Sequence, residues 1–274
     1  MIGAPIALGI IWLGDAALAA LAGGMAAIAS WEFFRIAKAS GGAPLSAVGV
    51  VGSAVVPLMV HAEYLGVAHF SFVAMVLSVL AIVALCLWLR GTDGRPLLAA
   101  STTVMGIIYT GGTLGFAYAL RYFGYAVGNA AGALVLMLPV LLTWASDIGG
   151  YVAGRTIGGR KLMPSVSPGK TIAGSIGGIV LTVVTCALFV HYLLRPQAQL
   201  TFSPWGLATF AVGISVAAQI GDLVESMFKR EAGVKDSGTI FPGHGGMLDR
   251  LDSLLLVLPV AYVLYGWLLI PAPT

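Results

Sequence analysis

Hydrophobic and polar positions in this chain fall into long blocks. Apolar runs near residues 2–13, 16–34, 45–62, 69–89, 97–120, 127–148, 171–194, 203–225 and 253–270 are separated by short stretches rich in Gly, Pro, Arg or Asp. A helix crosses hydrocarbon with about 20 apolar residues, so eight of these runs predict full spans, and 2–13, too short alone, predicts a fragment. No run shows the two-residue alternation of a barrel strand, and the runs are about twice barrel-strand length. The pattern therefore predicts an all-α fold, a polytopic transmembrane helical bundle of about eight to nine spans.

Composition strengthens this reading. Of 274 residues, 59% are hydrophobic and 9% charged, and the mean hydropathy is +0.98. Soluble domains carry roughly 25% charged residues, so this chain could not cover a water-facing surface. Disorder, collagen-like repeats and a disulfide scaffold are set aside as well, because the 37 Gly and 13 Pro follow no three-residue period and there are two Cys. Cys86 and Cys186 both sit within apolar runs and read as small buried residues.

The basic residues then orient the bundle. Arg35, Lys38, Arg90, Arg95, Arg155, Arg160, Lys161, Lys170, Lys229, Arg230, Lys235 and Arg250 fall on one set of alternate loops, and only Arg121 and Arg195 on the other. Cytoplasmic loops accumulate Lys and Arg, so the first set is expected in the cytoplasm and the C-terminus on the opposite side. Residues 1–13 lack a basic flank, which fits a chain that begins late or a piece lying in the interface. No cleaved signal peptide is expected, since no positive region precedes the apolar stretch.

Two polar segments on the basic side, Ser146 to Thr171 and Asp222 to Asp252, carry the candidate chemistry. They contain Asp147, Asp222, Glu225, Glu231, Asp236, Asp249 and Asp252, most of the acids in the chain. Asp147 closes the run LVLMLPVLLTWASD and Asp222 closes FAVGISVAAQIGD. An ionisable group within a span costs roughly 2.5–3.5 kcal/mol, so each is a functional candidate unless it reaches the interface. Glu225, Ser226 and Lys229 follow Asp222 at helical spacing and share its face. Asp249 and Asp252 are one turn apart. Their alternative reading is a complement to a helix N-terminus. Oxygen donors of this kind suit a hard cation such as Mg²⁺, held by one or two carboxylates and substrate phosphates.

Glycine-rich turns complete the picture. In PGHGG, backbone N–H groups of Gly243, Gly245 and Gly246 could approach phosphate oxygens, with His244 in the same turn. His61, His69 and His191 lie toward the opposite interface and read as structural. DIGGYVAGRTIGGRKLMPSVSPGKT joins Gly turns to Arg155, Arg160, Lys161 and Lys170 and reads as anion binding; topology or anionic lipid would explain the same charges. A nucleotide P-loop is excluded, because Pro164 stands where GxxxxGK[ST] needs Gly and no strand is expected before it. Stripes of small residues, Gly111, Gly112 and Gly115, then Gly174, Gly177 and Gly178, predict close helix approaches. These features suggest metal-assisted chemistry on phosphates at the cytoplasmic face.

SMFKREAGVKDSGTIFPGHGGMLDRLDS, residues 226–253, closely resembles the C-terminal signature of the phosphatidate cytidylyltransferases, the CDP-diacylglycerol synthases. The matching positions are Ser226, Lys229, Arg230, Lys235, Asp236, Pro242, His244, Gly245, Gly246, Asp249, Arg250 and Asp252. The segment from Asp147 through Gly154, Arg155, Lys161, Leu162 and Pro164 to SPGKT also looks like this family. Many members read SPKKTxEG there, so Gly169 and Ala173 depart from the pattern, while Ser167, Lys170 and Thr171 match it. The resemblance covers the C-terminal half. Residues 1–121 are expected to form N-terminal helices without a catalytic motif, and residues 122–274 the catalytic region.

The resemblance implies that CTP and phosphatidate react to CDP-diacylglycerol and pyrophosphate with Mg²⁺; a second cation, monovalent or not, is left open. On this reading Asp222 and Asp249 hold the metal, supported by Asp252 or Glu225. Lys229, Arg230, Lys235 and Lys170 face the triphosphate or the lipid phosphate. Ser226 and the turn at His244, Gly245 and Gly246 add hydrogen bonds, with Ser167, Thr171, Arg250 and Asp147 as further substrate-side groups. The expected setting is a bacterial inner membrane with the site facing the cytoplasm. Its partners are the bilayer and the two substrates, with no nucleic acid and a homodimer left open. A CTP-dependent lipid-alcohol kinase would need a base that this reaction does not. A transporter would place its carboxylates near the midplane, and the long Asp-rich helix motif of a CDP-alcohol transferase is not found here.

Overall fold

The structure, a computed structural model, describes residues 3–69, 71–240 and 245–272. Among them nine helices follow in chain order: α1 (Gly3–Leu13), α2 (Asp15–Ala39), α3 (Ser46–Tyr64), α4 (Phe72–Arg90), α5 (Pro96–Arg121), α6 (Asn129–Thr156), α7 (Ile172–Ala198), α8 (Pro204–Glu231) and α9 (Leu248–Leu268). The eight from α2 to α9 are long and apolar enough to cross a membrane. This is the expected architecture of eight spans and a fragment. Two short antiparallel pairs accompany them: β1 (Lys161–Met163) with β2 (Ser167–Thr171), and β3 (Leu200–Phe202) with β4 (Leu269–Pro271). The hydropathy pattern does not foretell these pairs, because three to five residues are too few for a periodic signal.

The helices form two compact units. The first comprises Met1–Gly14, Ala119–Ser226 and Asp252–Thr274, and the second Asp15–Tyr118 and Met227–Leu251.

In the first unit α6 and α7 touch along their backbones. A Cβ added to Gly178 would stand 2.9 Å from the Ser146 carbonyl oxygen, and one on Gly174 would stand 2.7 Å from that of Gly150. Only glycine permits this approach, as the small-residue stripe led one to expect. Lipid exerts no hydrophobic drive between helices, so polar groups assist: Ser146 Oγ and Ser215 Oγ lie 2.8 Å apart, joining α6 to α8. Gln219 of α8 donates through Nε2 to the Ser175 carbonyl of α7 at 3.2 Å and to Ser215 Oγ at 3.2 Å, and Ser175 Oγ donates back to Gln219 Oε1. Where α1 ends, buried Arg121 donates to the carbonyls of Ile11 at 2.9 Å and Trp12 at 3.3 Å, satisfying groups that the helix leaves unpaired.

In the second unit α2, α3 and α5 enclose the core. Ile107–Gly112 within α5 adopts a π turn. Gly111 meets the α3 backbone at Ser53, and Thr110 Oγ1 donates to Ser53 Oγ at 3.1 Å. Phe228, near the end of α8, sits edge-on to Phe33 and Tyr109, with ring centroids 6.0 and 5.8 Å away. This anchors the turn that carries Lys229. Helix α4 buries only Ile82 and Cys86 and leaves most of its apolar side chains exposed, which a bilayer solvates without cost.

Candidate active site

Each unit carries one cluster of the residues that sequence singled out. In the first, the β1–β2 hairpin, with Lys161 opposite Thr171 and Met163 opposite Ser167, delivers the chain into α7. Thr171 caps that helix, its Oγ1 accepting from Gly174 N at 3.0 Å. The cap fixes Lys170 immediately before it. Lys170 Nζ lies 2.7 Å from Asp222 Oδ2 of α8, and Ser226, one turn on, donates through Oγ to Asp222 Oδ1 at 3.3 Å. Asp147 of α6 is near enough to be repelled by Asp222 and attracted by Lys170. Lys170 thus meets Asp222 directly, with Asp147 in its vicinity.

Close helix contact sets this geometry. A Cβ on Gly221 would stand 2.6 Å from the Asp252 carbonyl oxygen and 2.9 Å from the Cα of Ser253, so α8 and α9 are nearly in backbone contact just before Asp222. Asp252 spends Oδ1 on the N–H of Ser253 at 2.6 Å. Glu225 is fully buried. Ser167 is half-buried on β2, whereas Arg155, Arg160 and Lys161 are exposed, with Arg155 donating to the Tyr151 hydroxyl at 2.5 Å.

The second cluster gathers around Asp249, the second residue of α9. Lys229 Nζ donates to its Oδ1 at 2.7 Å. Its Oδ2 accepts from Gly246 N at 2.7 Å, Ser237 N at 2.9 Å and Ser237 Oγ at 2.9 Å. Asp249 therefore ties the end of α8, the 237 turn and the glycine turn to one carboxylate. Gly245 has φ +82° and Gly246 is buried. Arg230, Lys235 and Arg250 are exposed. His244, Pro242 and Gly243 lie outside the described residues.

One carboxylate at this cluster was not anticipated. Glu32 of α2 is fully buried and accepts from Ser237 Oγ at 2.9 Å, Met247 N at 3.1 Å and Leu248 N at 2.7 Å. The signal was a lone acid in the run ASWEFF. It lies far from either motif segment, so spacing gives no reason to join it to them.

The donor chemistry bears on a metal. Among the described residues no group of three or more His, Cys, Asp and Glu could hold an ion by itself. Mg²⁺ does not need such a cage, since it keeps waters and takes one or two carboxylates together with substrate phosphates. Asp222, which meets Lys170, and Asp147 nearby offer oxygen donors of that kind.

The profile of the cytidylyltransferase family matches residues 1–268. A phosphatidate cytidylyltransferase of Staphylococcus epidermidis is 39% identical over 165 residues, 60% of this chain and 58% of that protein. One of Haemophilus influenzae is 43% identical over 154 residues, 55% of this chain and 52% of that protein. The matched stretch thus spans just over half the length of the curated relatives.

Proposed function

The chain belongs to the cytidylyltransferase family, and on that premise we propose that it transfers a cytidylyl group from CTP to phosphatidate at the cytoplasmic face of a bacterial inner membrane. The observation that carries this reading is a pair of ammonium–carboxylate contacts, Lys170 with Asp222 and Lys229 with Asp249, each at 2.7 Å, with Lys170, Lys229 and Asp249 in the segments that resemble the family. An oxygen of the lipid phosphate attacks the α-phosphorus of CTP, the bond from that phosphorus to the bridging oxygen breaks, and pyrophosphate leaves with the electron pair. The attacking group is already an anion. No side-chain nucleophile is needed, and the protein's work is to align two polyanions and offset their repulsion.

In the first unit Asp222 with Asp147 would hold Mg²⁺, with Glu225 and Asp252 as further acids there; in the second, Asp249 would do so where Lys229 yields its place. When bound, the metal would neutralise phosphate charge and polarise the α-phosphoryl oxygen. Lys170 and Lys229 exchange their carboxylates for phosphate oxygens as the substrates enter, and Arg230, Lys235 and Arg250, exposed in the described structure, add positive charge for the triphosphate. Ser226 and the N–H groups of Gly245 and Gly246 supply neutral donors. No protein base enters the scheme.

The test supplies purified full-length chain with CTP, Mg²⁺ and phosphatidate in mixed micelles and measures CDP-lipid and pyrophosphate in equal amounts. Phosphorylation of a lipid alcohol, with phosphatidate left unreacted, would replace this reading with a kinase.

A further inference from the structure

Glu32 belongs to neither motif segment, yet it is the most deeply placed acid around the Asp249 cluster, with none of its surface exposed. A carboxylate in such a place is costly unless its oxygens are satisfied. Here Oε2 accepts from Ser237 Oγ and Leu248 N, at 2.9 and 2.7 Å, and Oε1 accepts from Met247 N at 3.1 Å. The last two are backbone donors at the entry to α9, where the helix leaves N–H groups unpaired and its dipole favours an anion. The glycines of the adjoining turns fit around this group. A Cβ on Gly238 or on Gly246 would run into the Glu32 carboxylate. Gly246 is thus required for a packing reason, in addition to any approach of phosphate to its amide.

Ser237 connects Glu32 to the candidate machinery. Its hydroxyl lies 2.9 Å from Glu32 Oε2 and 2.9 Å from Asp249 Oδ2, while its N–H donates to that same Asp249 oxygen at 2.9 Å. One hydroxyl proton serves only one carboxylate at a time. Ser237 is therefore shared, and a change at Glu32 is felt at Asp249. Asp249 in turn holds Lys229. The chain of contacts is Glu32, Ser237, Asp249, Lys229, all within the second unit.

We propose that Glu32 is a positioning residue for cytidylyl transfer, setting the entry of α9 and the 237 turn so that Asp249 and Lys229 stand correctly for the nucleotide phosphates. This rests on the reading that the Asp249–Lys229 pair serves CTP. Replacing Glu32 by Gln keeps the shape but puts an amide NH₂ against an N–H or O–H donor, so one of the three bonds turns repulsive.

The test compares wild type, Glu32→Gln, Ser237→Ala and Asp249→Asn as full-length proteins in detergent, with steady-state rates at varied CTP and thermal unfolding recorded alongside. For Glu32→Gln the expected result is a KM for CTP raised about fivefold and a kcat lowered about tenfold, with the unfolding midpoint close to wild type. A KM for CTP unchanged from wild type, whether or not the midpoint falls, overturns the inference, because a loss of folded protein lowers the apparent kcat and leaves KM alone. If Glu32→Gln does not fold, Ser237→Ala is decisive. It removes only the bridging hydroxyl and should raise KM for CTP about threefold, and an unchanged value overturns the proposal. Asp249→Asn separates the two claims. Wild-type kinetics in that variant would refute the assignment of the pair to CTP, whereas a crippled Asp249→Asn beside a normal Glu32→Gln would refute the role of Glu32 alone.

Discussion

Lys170 meets Asp222 at 2.7 Å, beside Asp147, in a region where the helices are otherwise largely apolar. Removing one partner of such a set leaves charge uncompensated. Lys170→Ala should lower kcat/KM for CTP by roughly 10²-fold, and Lys170→Arg should recover part of that, since it restores the charge but not the point geometry of an ammonium. Rates at wild-type level in Lys170→Ala would remove this lysine from the site. Asp249→Asn should abolish turnover with helix content retained, measured by circular dichroism beside the assay. The exchange turns an acceptor toward the N–H groups of Ser237 and Gly246 into a donor at one of its two positions. At this scale the sequence was informative where charge is rare. Lys170, Asp222, Lys229 and Asp249 were legible as candidates because an acid or base at the edge of an apolar run needs a reason. Which lysine meets which acid was not legible, and neither was Glu32, whose partners lie more than 200 residues away along the chain.

Among the elements, α6 and α7 depend on their glycine contact. Gly178→Leu puts a side chain where a Cβ alone would already be 2.9 Å from the Ser146 carbonyl oxygen, so the two helices must separate. The expected result is a lower unfolding midpoint together with weakened CTP turnover, because Ser146 and Asp147 move with α6; a variant equal to wild type in both would contradict it. Thr171→Ala should be milder, costing about 1 kcal/mol through loss of the α7 cap, and is checked by the same melting experiment. Helix lengths show where a hydropathy reading stops. It ended α2 at residue 34, α6 at 148 and α8 at 225 and began α9 at 253, whereas the helices run to Ala39, Thr156 and Glu231 and start at Leu248. Hydropathy detects the part of a helix that faces lipid. Backbone hydrogen bonding continues beyond it, and those polar extensions carry Arg155, Lys229 and Asp249. The β1–β2 hairpin stands where no strand is expected before the GKT string, and for a related reason: its three and five residues have no apolar face to bury.

For the whole molecule, the distribution of basic residues predicts sidedness. Lys161→Cys should react with an impermeant maleimide only in inverted membrane vesicles, and Arg195→Cys only from the opposite side; the reverse pattern would invert the orientation. The background is favourable, because native Cys86 and Cys186 are 1% and 0% exposed. Residence in lipid, the number of spans, and the two segments that concentrate acids and bases were determined by the sequence alone. Each follows from local composition, which a bilayer reads directly as length and charge. Tertiary structure alone decided the pairing of Lys170 with Asp222 and Lys229 with Asp249, the backbone contact that makes Gly178 necessary, and the burial of Glu32 beneath the glycine turn. These depend on groups brought together across long stretches of chain by helix packing, and no local pattern encodes which distant donor a buried carboxylate will meet.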